Sequence, residues 1–208
     1  MSTQRRHWIS APRFSPLLGV VIGAAGGAVY WLGAQVWPAS VAVVLSMLAT
    51  EVMPTTHADQ ARVFGAVGFV FALLLKYSTL MALSAANLPF AVPANVALGL
   101  IMICGHAASR ALAVSLTVWP DHDSPQPVRP TPISNGDLVF VLAIGFAPAA
   151  LLGIPGLIGL AAAVLARVAF AAYLKRRRKT MVNAAFYATQ QLTEVCFYLA
   201  ALASWPFV

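Results

Sequence analysis

The stretch IPGLIGLAAAVLARVAFAAYL at residues 154–174 runs straight into Lys175, Arg176, Arg177, Arg178 and Lys179, and its reading decides the fold class. Its length matches the ~20 apolar residues that an α-helix needs to cross a hydrocarbon core roughly 30 Å thick. Arg167 is its one charged side chain. A basic cluster directly after such a run marks the cytoplasmic end of a membrane helix, because lysine and arginine in short loops are retained on that side.

Working outward, comparable runs occur at 15–36, 39–53, 64–86, 93–118, 138–152 and 182–204. With 154–174 they predict an all-α, polytopic transmembrane bundle of about seven helices, the second and fifth being short for a full crossing. The breaks are rich in residues that interrupt helices: Trp37-Pro38, Pro54, Pro89 and Pro93, and Gly153-Ile154-Pro155-Gly156. The fifth and sixth runs can also be read as one kinked or re-entrant pair.

Composition agrees. The 208 residues are 60% hydrophobic and 9% charged, against about 25% charged for a typical soluble domain. A single integral membrane domain spanning 1–208 is expected, with no soluble module. The formal charge of +7 does not indicate nucleic acid, because the basic residues are not interleaved with aromatics on a polar face. They lie in loops beside apolar runs, where they set topology and attract anionic membrane lipid.

Ten of the 13 basic residues fall on alternate connections: Arg5, Arg6 and Arg13; Arg62 in the 54–63 loop; Arg129 in the 119–137 loop; and Lys175 to Lys179. The connections at 37–38, 87–92 and 153, and the tail 204–208, carry no charge. The expected localisation is therefore the bacterial inner membrane, multi-pass, with the N terminus cytoplasmic and the C terminus outside. Trp8, Trp31, Trp37, Trp119 and Trp205 fall near span ends, where an amphipathic ring favours the interface. The first run continues past 20 residues without a clear cleavage site and reads as a retained helix. Cys104 and Cys196 lie within apolar runs and read as small hydrophobes. The segment 119–136, with five prolines, reads as a flexible cytoplasmic connector.

Ionisable side chains within a span cost a few kcal/mol and call for a partner, a water path or a function. Those in or beside the spans are Glu51, His57, Asp59, Lys76, His106, Arg110, Arg167 and Glu194. Glu51, His57 and Asp59 near the inner end of the second run offer hard-cation ligands, or else form a plain interfacial turn. His106 and Arg110, spaced i, i+4, share a helix face suited to a phosphate or to an internal carboxylate partner. In the last run Asn183, Tyr187, Gln190, Gln191 and Glu194 draw a polar stripe that must face protein or water, either as helix-to-helix hydrogen bonding or as a substrate-lining face. Arg167 and Lys175 approach the inner face, where long stems can snorkel.

Several of these residues lie in stretches that resemble the cobalamin synthase family, the adenosylcobinamide-GDP ribazoletransferases. Pro16-Leu17-Leu18-Gly19, Val63-Phe64-Gly65-Ala66-Val67-Gly68 and Leu73-Leu74-Leu75-Lys76-Tyr77 are similar to the family's P-L-(I/V)-G opening and its F-G-A-(V/L)-A…L-L-L-K. Ser109-Arg110 is similar to a family Ser-Arg pair. Tyr173-Leu174-Lys175-Arg176-Arg177 and Gln191-Leu192-Thr193-Glu194-Val195 are similar to its L-x-R-R and Q-L-x-E-(L/V). Two acidic family motifs are altered. Of H-x-D-G-L-A-D-x-x-D-G only His57 and Asp59 remain, with Gln60 at the glycine position, and a following soluble stretch of the family is missing. At the family's T-G-D, Asn183 and Ala184 stand at the glycine and aspartate.

The resemblance implies transfer of α-ribazole or its phosphate to adenosylcobinamide-GDP with release of GMP, and Mg2+ as cofactor. It implies catalytic parts for Asp59, His57 and Arg110, and the residue reading adds Glu51 to His57 and Asp59 as the expected magnesium set. Lys76 and Glu194 match family positions and, with His106, Asn183 and Gln190 from the reading of the residues themselves, are the expected substrate contacts. The implied partners are a corrinoid or nucleotide intermediate, membrane lipid and other cobalamin-pathway enzymes, with no nucleic acid. The altered acidic motifs also admit a catalytically silent paralogue that binds a corrinoid intermediate or scaffolds partners. A small membrane transporter is a third reading.

Overall fold

The computed structural model describes residues 12–52, 57–86, 94–118, 133–176 and 182–205, with side chains described except at 12, 52, 57–64, 94–95, 117–118 and 182–184. The seven apolar runs become seven α-helices: α1 Ser15–Gly33, α2 Ala39–Val52, α3 His57–Ala85, α4 Ala94–Val114, α5 Asn135–Ala150, α6 Gly153–Arg176 and α7 Val182–Ser204. Four of them are long and apolar enough to cross a membrane: α1, the Gly65–Ala85 part of α3, α4 and α6. At about 1.5 Å per residue, the 14 residues of α2 and 16 of α5 reach only about 21 and 24 Å. The 23 residues of α7 are long enough, but its polar face is turned into the protein. Large apolar side chains such as Phe71, Leu74, Leu157 and Leu165 lie on the outside, the surface expected of a chain solvated by lipid.

Two boundaries differ from the sequence reading. Residues 57–63, expected as loop, are helical and belong to α3. The segment contains no proline or glycine, and the break comes instead at Gly65, whose φ of 73° lies in the left-handed region that favours glycine. Second, α5 begins at 135 rather than 138, because the Ser134 hydroxyl caps it by accepting from the Asp137 N–H at 3.1 Å. The fifth and sixth runs are separate helices joined by a two-residue turn at 151–152, with α6 opening on Gly153. The connector expected at 119–136 lies outside the described residues up to 132.

Helix α4 runs through the middle of the bundle and is buried along almost all of Ile101–Val114. Glycines in α1 allow this. A Cβ at Gly23 would come within 2.6 Å of the Ile103 Cα, one at Gly27 within 2.7 Å of the Gly99 Cα, and one at Gly19 would meet the His106 carbonyl. Small residues at such a seam let two backbones touch, which is how helices gain packing in lipid. Helix α2 lies along the C-terminal half of α1, where the Ser46 hydroxyl donates to the Gly26 carbonyl at 2.8 Å. Trp31 and Trp37 are exposed at the end of α1, as an interfacial position requires, whereas Trp205 packs into the core at the end of α7.

Candidate functional site

The polar stripe of α7 meets α3 and α4 inside the bundle. Lys76, in the middle of α3, is completely buried and makes ion pairs with Glu51 at 2.8 Å and Glu194 at 2.7 Å. The second oxygen of Glu194 lies 3.3 Å from His106 Nδ1. One cation thus ties the last turn of α2 to the centre of α7, with the imidazole of α4 behind. Each member is there for a local reason. Lys76 lies on the inward face of α3, whose neighbouring Leu74 and Leu75 stay exposed, and Gly19 lets the His106 turn of α4 sit against α1.

The stripe was expected to face protein or water, and at Glu194 it faces protein: the carboxylate is buried with Lys76 as its ion-pair partner. The internal Arg–Glu pair considered for Arg110 does not form. Among the described residues no carboxylate ion-pairs with Arg110, because Glu51 and Glu194 are both held by Lys76. Gln190 and Gln191 are buried one turn before Glu194, in line with the stripe, while Tyr187 is half-buried. The side chain of Asn183 lies outside the described residues. Arg167 donates from Nε to the Ser115 hydroxyl and from Nη2 to the Ser115 carbonyl, both at 2.9 Å. It therefore fastens α6 to the end of α4, where a cation suits the helix dipole, rather than extending alone toward water.

Sequence reasoning passed over one member of the site. Tyr198 is fully buried one turn beyond Glu194, its ring lying so close over Gly105 that a Cβ there would collide with it. The signal was the i+4 continuation of the stripe past Glu194. Cys104 is buried in the core, Cys196 is partly buried, and both are free thiols, consistent with their reading as small hydrophobes.

A magnesium site requires several oxygen ligands held together. Of the expected set, Glu51 alone has a described side chain, and the Lys76 ammonium occupies it. The side chains of His57 and Asp59 lie outside the described residues. Among the described residues no three His, Cys, Asp or Glu side chains gather in one place. The described donors do not fit a resident divalent cation.

With this geometry in view, comparison with known proteins identifies the relatives. The family model described as cobalamin-5-phosphate synthase matches residues 61–202. The chain belongs to that family. It is 31% identical to the adenosylcobinamide-GDP ribazoletransferase of Ralstonia nicotianae over 93% of this chain and 84% of that protein. It is 30% identical to the protein of the same name from Leptothrix cholodnii over 95% of this chain and 86% of that protein, and 27% identical to that of Shewanella frigidimarina over 93% and 84%. No solved structure matches. The family match takes in Lys76, His106, Arg110, Gln190 and Glu194 and begins just past His57 and Asp59. The alignment with the Ralstonia nicotianae protein is 225 positions long yet covers 93% of a 208-residue chain. The excess is gap opposite this chain, in keeping with a family segment missing here.

Proposed function

We propose that this protein is a membrane-embedded member of corrinoid nucleotide assembly. It binds the corrinoid and nucleotide intermediates at the α3/α4/α7 seam, and it joins α-ribazole or its phosphate to adenosylcobinamide-GDP, releasing GMP, with strongly reduced turnover. The observation that carries this is the buried Lys76–Glu194–His106 network at the heart of the region shared with the family. Lys76, His106, Asn183, Gln190 and Glu194 form the substrate-facing polar surface in this reading. His57 and Asp59 stand for the reduced acidic turn, with Glu51 at the adjoining end of α2. The chain works as one domain in the inner membrane with its N terminus in the cytoplasm, in contact with lipid and with other enzymes of the pathway.

Turnover is reduced for a reason of charge. Displacing GMP from a diphosphate develops negative charge, which this chemistry neutralises with a metal held by several carboxylates. Family magnesium would need Glu51, His57 and Asp59 together, and Glu51 is already held by Lys76. A second reading, a silent paralogue that only binds an intermediate, draws support from the same occupancy of Glu51.

The test is transfer of α-ribazole phosphate to adenosylcobinamide-GDP by purified protein with magnesium, alongside complementation of a cobalamin synthase deletion strain. The expected rate is at least about 100-fold below that of the Ralstonia nicotianae relative, the scale of losing metal-site support. Ala184→Asp alone should not restore it. Robust magnesium-dependent product formation that Asp59→Ala abolishes overturns the reduced-turnover reading, and complete absence of both product and intermediate binding overturns the assignment itself.

A further inference from the structure

The burial of α3 changes abruptly at Lys76. On the face that carries it, Thr79, Leu80 and Leu83 toward the Ala85 end are all buried. Residues three and four apart on a helix share a face, so Phe69, Ala72 and Leu73 continue that face toward the Gly65 end. Each of them is only half-buried, and no residue from Gly65 to Leu75 is fully buried. The change falls at the level where α2 stops. Glu51 meets Lys76 at 2.8 Å, and α2 ends one residue later at Val52. Helix α2 therefore has no length left with which to cover the Gly65–Leu75 wall.

That level is deep. Lys76 sits near the middle of the Gly65–Ala85 span, roughly 16 Å from Gly65 and roughly 14 Å from Ala85 at about 1.5 Å per residue. At this depth the Glu51 side chain keeps 13% of its surface exposed, whereas Lys76 keeps none. A carboxylate that is paired with an ammonium and still partly bare is strongly unfavourable against hydrocarbon, so its open surface calls for water. Thr79, Leu80 and Leu83 close the approach from the Ala85 end. The uncovered wall of Phe69, Ala72 and Leu73 is the side left open.

We propose that the Gly65–Leu75 wall of α3 lines an aqueous inlet, which brings water and small hydrophilic solutes to Glu51 at mid-depth from the face on which α6 ends at Arg176. Its lining is apolar and its closed end is the Glu51–Lys76 ion pair, so the inlet conducts along its length and interacts only at the bottom. This goes beyond the transfer reaction, because water reaches Glu51 whether or not GMP is released.

The test treats full-length protein, in inverted and in right-side-out membrane vesicles, with a small charged methanethiosulfonate that does not cross lipid. Ala72→Cys and Leu73→Cys probe the wall. Val70→Cys and Leu74→Cys bracket them in depth, at side chains each 53% exposed on the outside of the bundle. Wild type, with Cys104 buried and Cys196 partly buried, gives the background, and Arg176→Cys marks the face. The reagent attacks thiolate, which forms in water and not in hydrocarbon, so the wall positions should react at least about 10-fold faster than the bracketing pair. They should do so in the vesicles in which Arg176→Cys reacts. Equal reaction at all four positions, slow or fast, overturns the proposal; slow reaction throughout means that acyl chains or side chains fill the groove. Fast reaction of the wall only from the opposite face overturns it as well. Two wall positions are used so that one still decides if the other variant fails to fold. Ribazole transfer is assayed separately, and its absence changes none of these outcomes.

Discussion

Replacing Lys76 by methionine keeps the length and apolar stem of the side chain but removes the charge that two carboxylates share. Glu194, 1% exposed, loses a 2.7 Å partner and keeps only His106 at 3.3 Å. Glu51, at 13% exposure, can recover some hydration. The loss therefore falls mainly on Glu194, and stranding one member of a buried pair costs about 3–5 kcal/mol. At about 2–4 °C per kcal/mol for a chain of this size, the midpoint should drop by roughly 10 °C. Thermal unfolding of purified protein in detergent, followed by tryptophan fluorescence, measures it. The sign of a second change is the sharper check: adding Glu194→Gln to Lys76→Met should recover about half of the loss, because the stranded charge is then gone. A Lys76→Met protein within about 1 kcal/mol of wild type, or a double variant less stable than the single one, refutes the reasoning.

Gly23→Ala should destabilise by about 1–3 kcal/mol, because the added Cβ meets backbone atoms of Met102 and Ile103 that cannot turn aside. The same denaturation assay reads it, and Gly136→Ala, where the nearest atom is 3.8 Å away, is the control. Ser46→Ala should cost about 1 kcal/mol through loss of the bond to the Gly26 carbonyl, an effect that Ser46→Cys should not repair fully. A reporter fused after Val208 should be exposed outside the cell and one inserted near Arg178 should be cytoplasmic; the same compartment for both removes α7 as a crossing helix.

The helices were legible because lipid imposes a simple length and polarity rule on each segment, and the runs ending near 33, 52, 85 and 204 needed little more than that rule. The stripe of α7 was legible for the same reason: Gln190, Gln191 and Glu194 have nowhere to point but inward. Partner choice was not. Glu51 was grouped with His57 and Asp59 by closeness in the chain, whereas α2 is short and ends level with the middle of α3, where Lys76 waits. Nothing local encodes that depth; it depends on how α2 lies along α1 through Ser46 and Gly26. The helical state of 57–63 was hidden by the charges in that segment, which read as loop although every residue there tolerates a helix.

The double engagement of Lys76 also bears on how the chain is put together. During synthesis α2 and α3 emerge as neighbours, and Glu51 is available to Lys76 as soon as that hairpin forms, long before α7 exists. The lysine thus enters the bilayer already neutralised by a carboxylate at the edge of the fold. The second carboxylate arrives with the last helix, so Glu194 reaches the interior only by docking against a cation held in place for it. Helix α1, free of acidic and basic side chains, can wait in lipid until α4 appears and closes the glycine seam. The order of residues along the gene product and the order in which charges become safe to bury are the same.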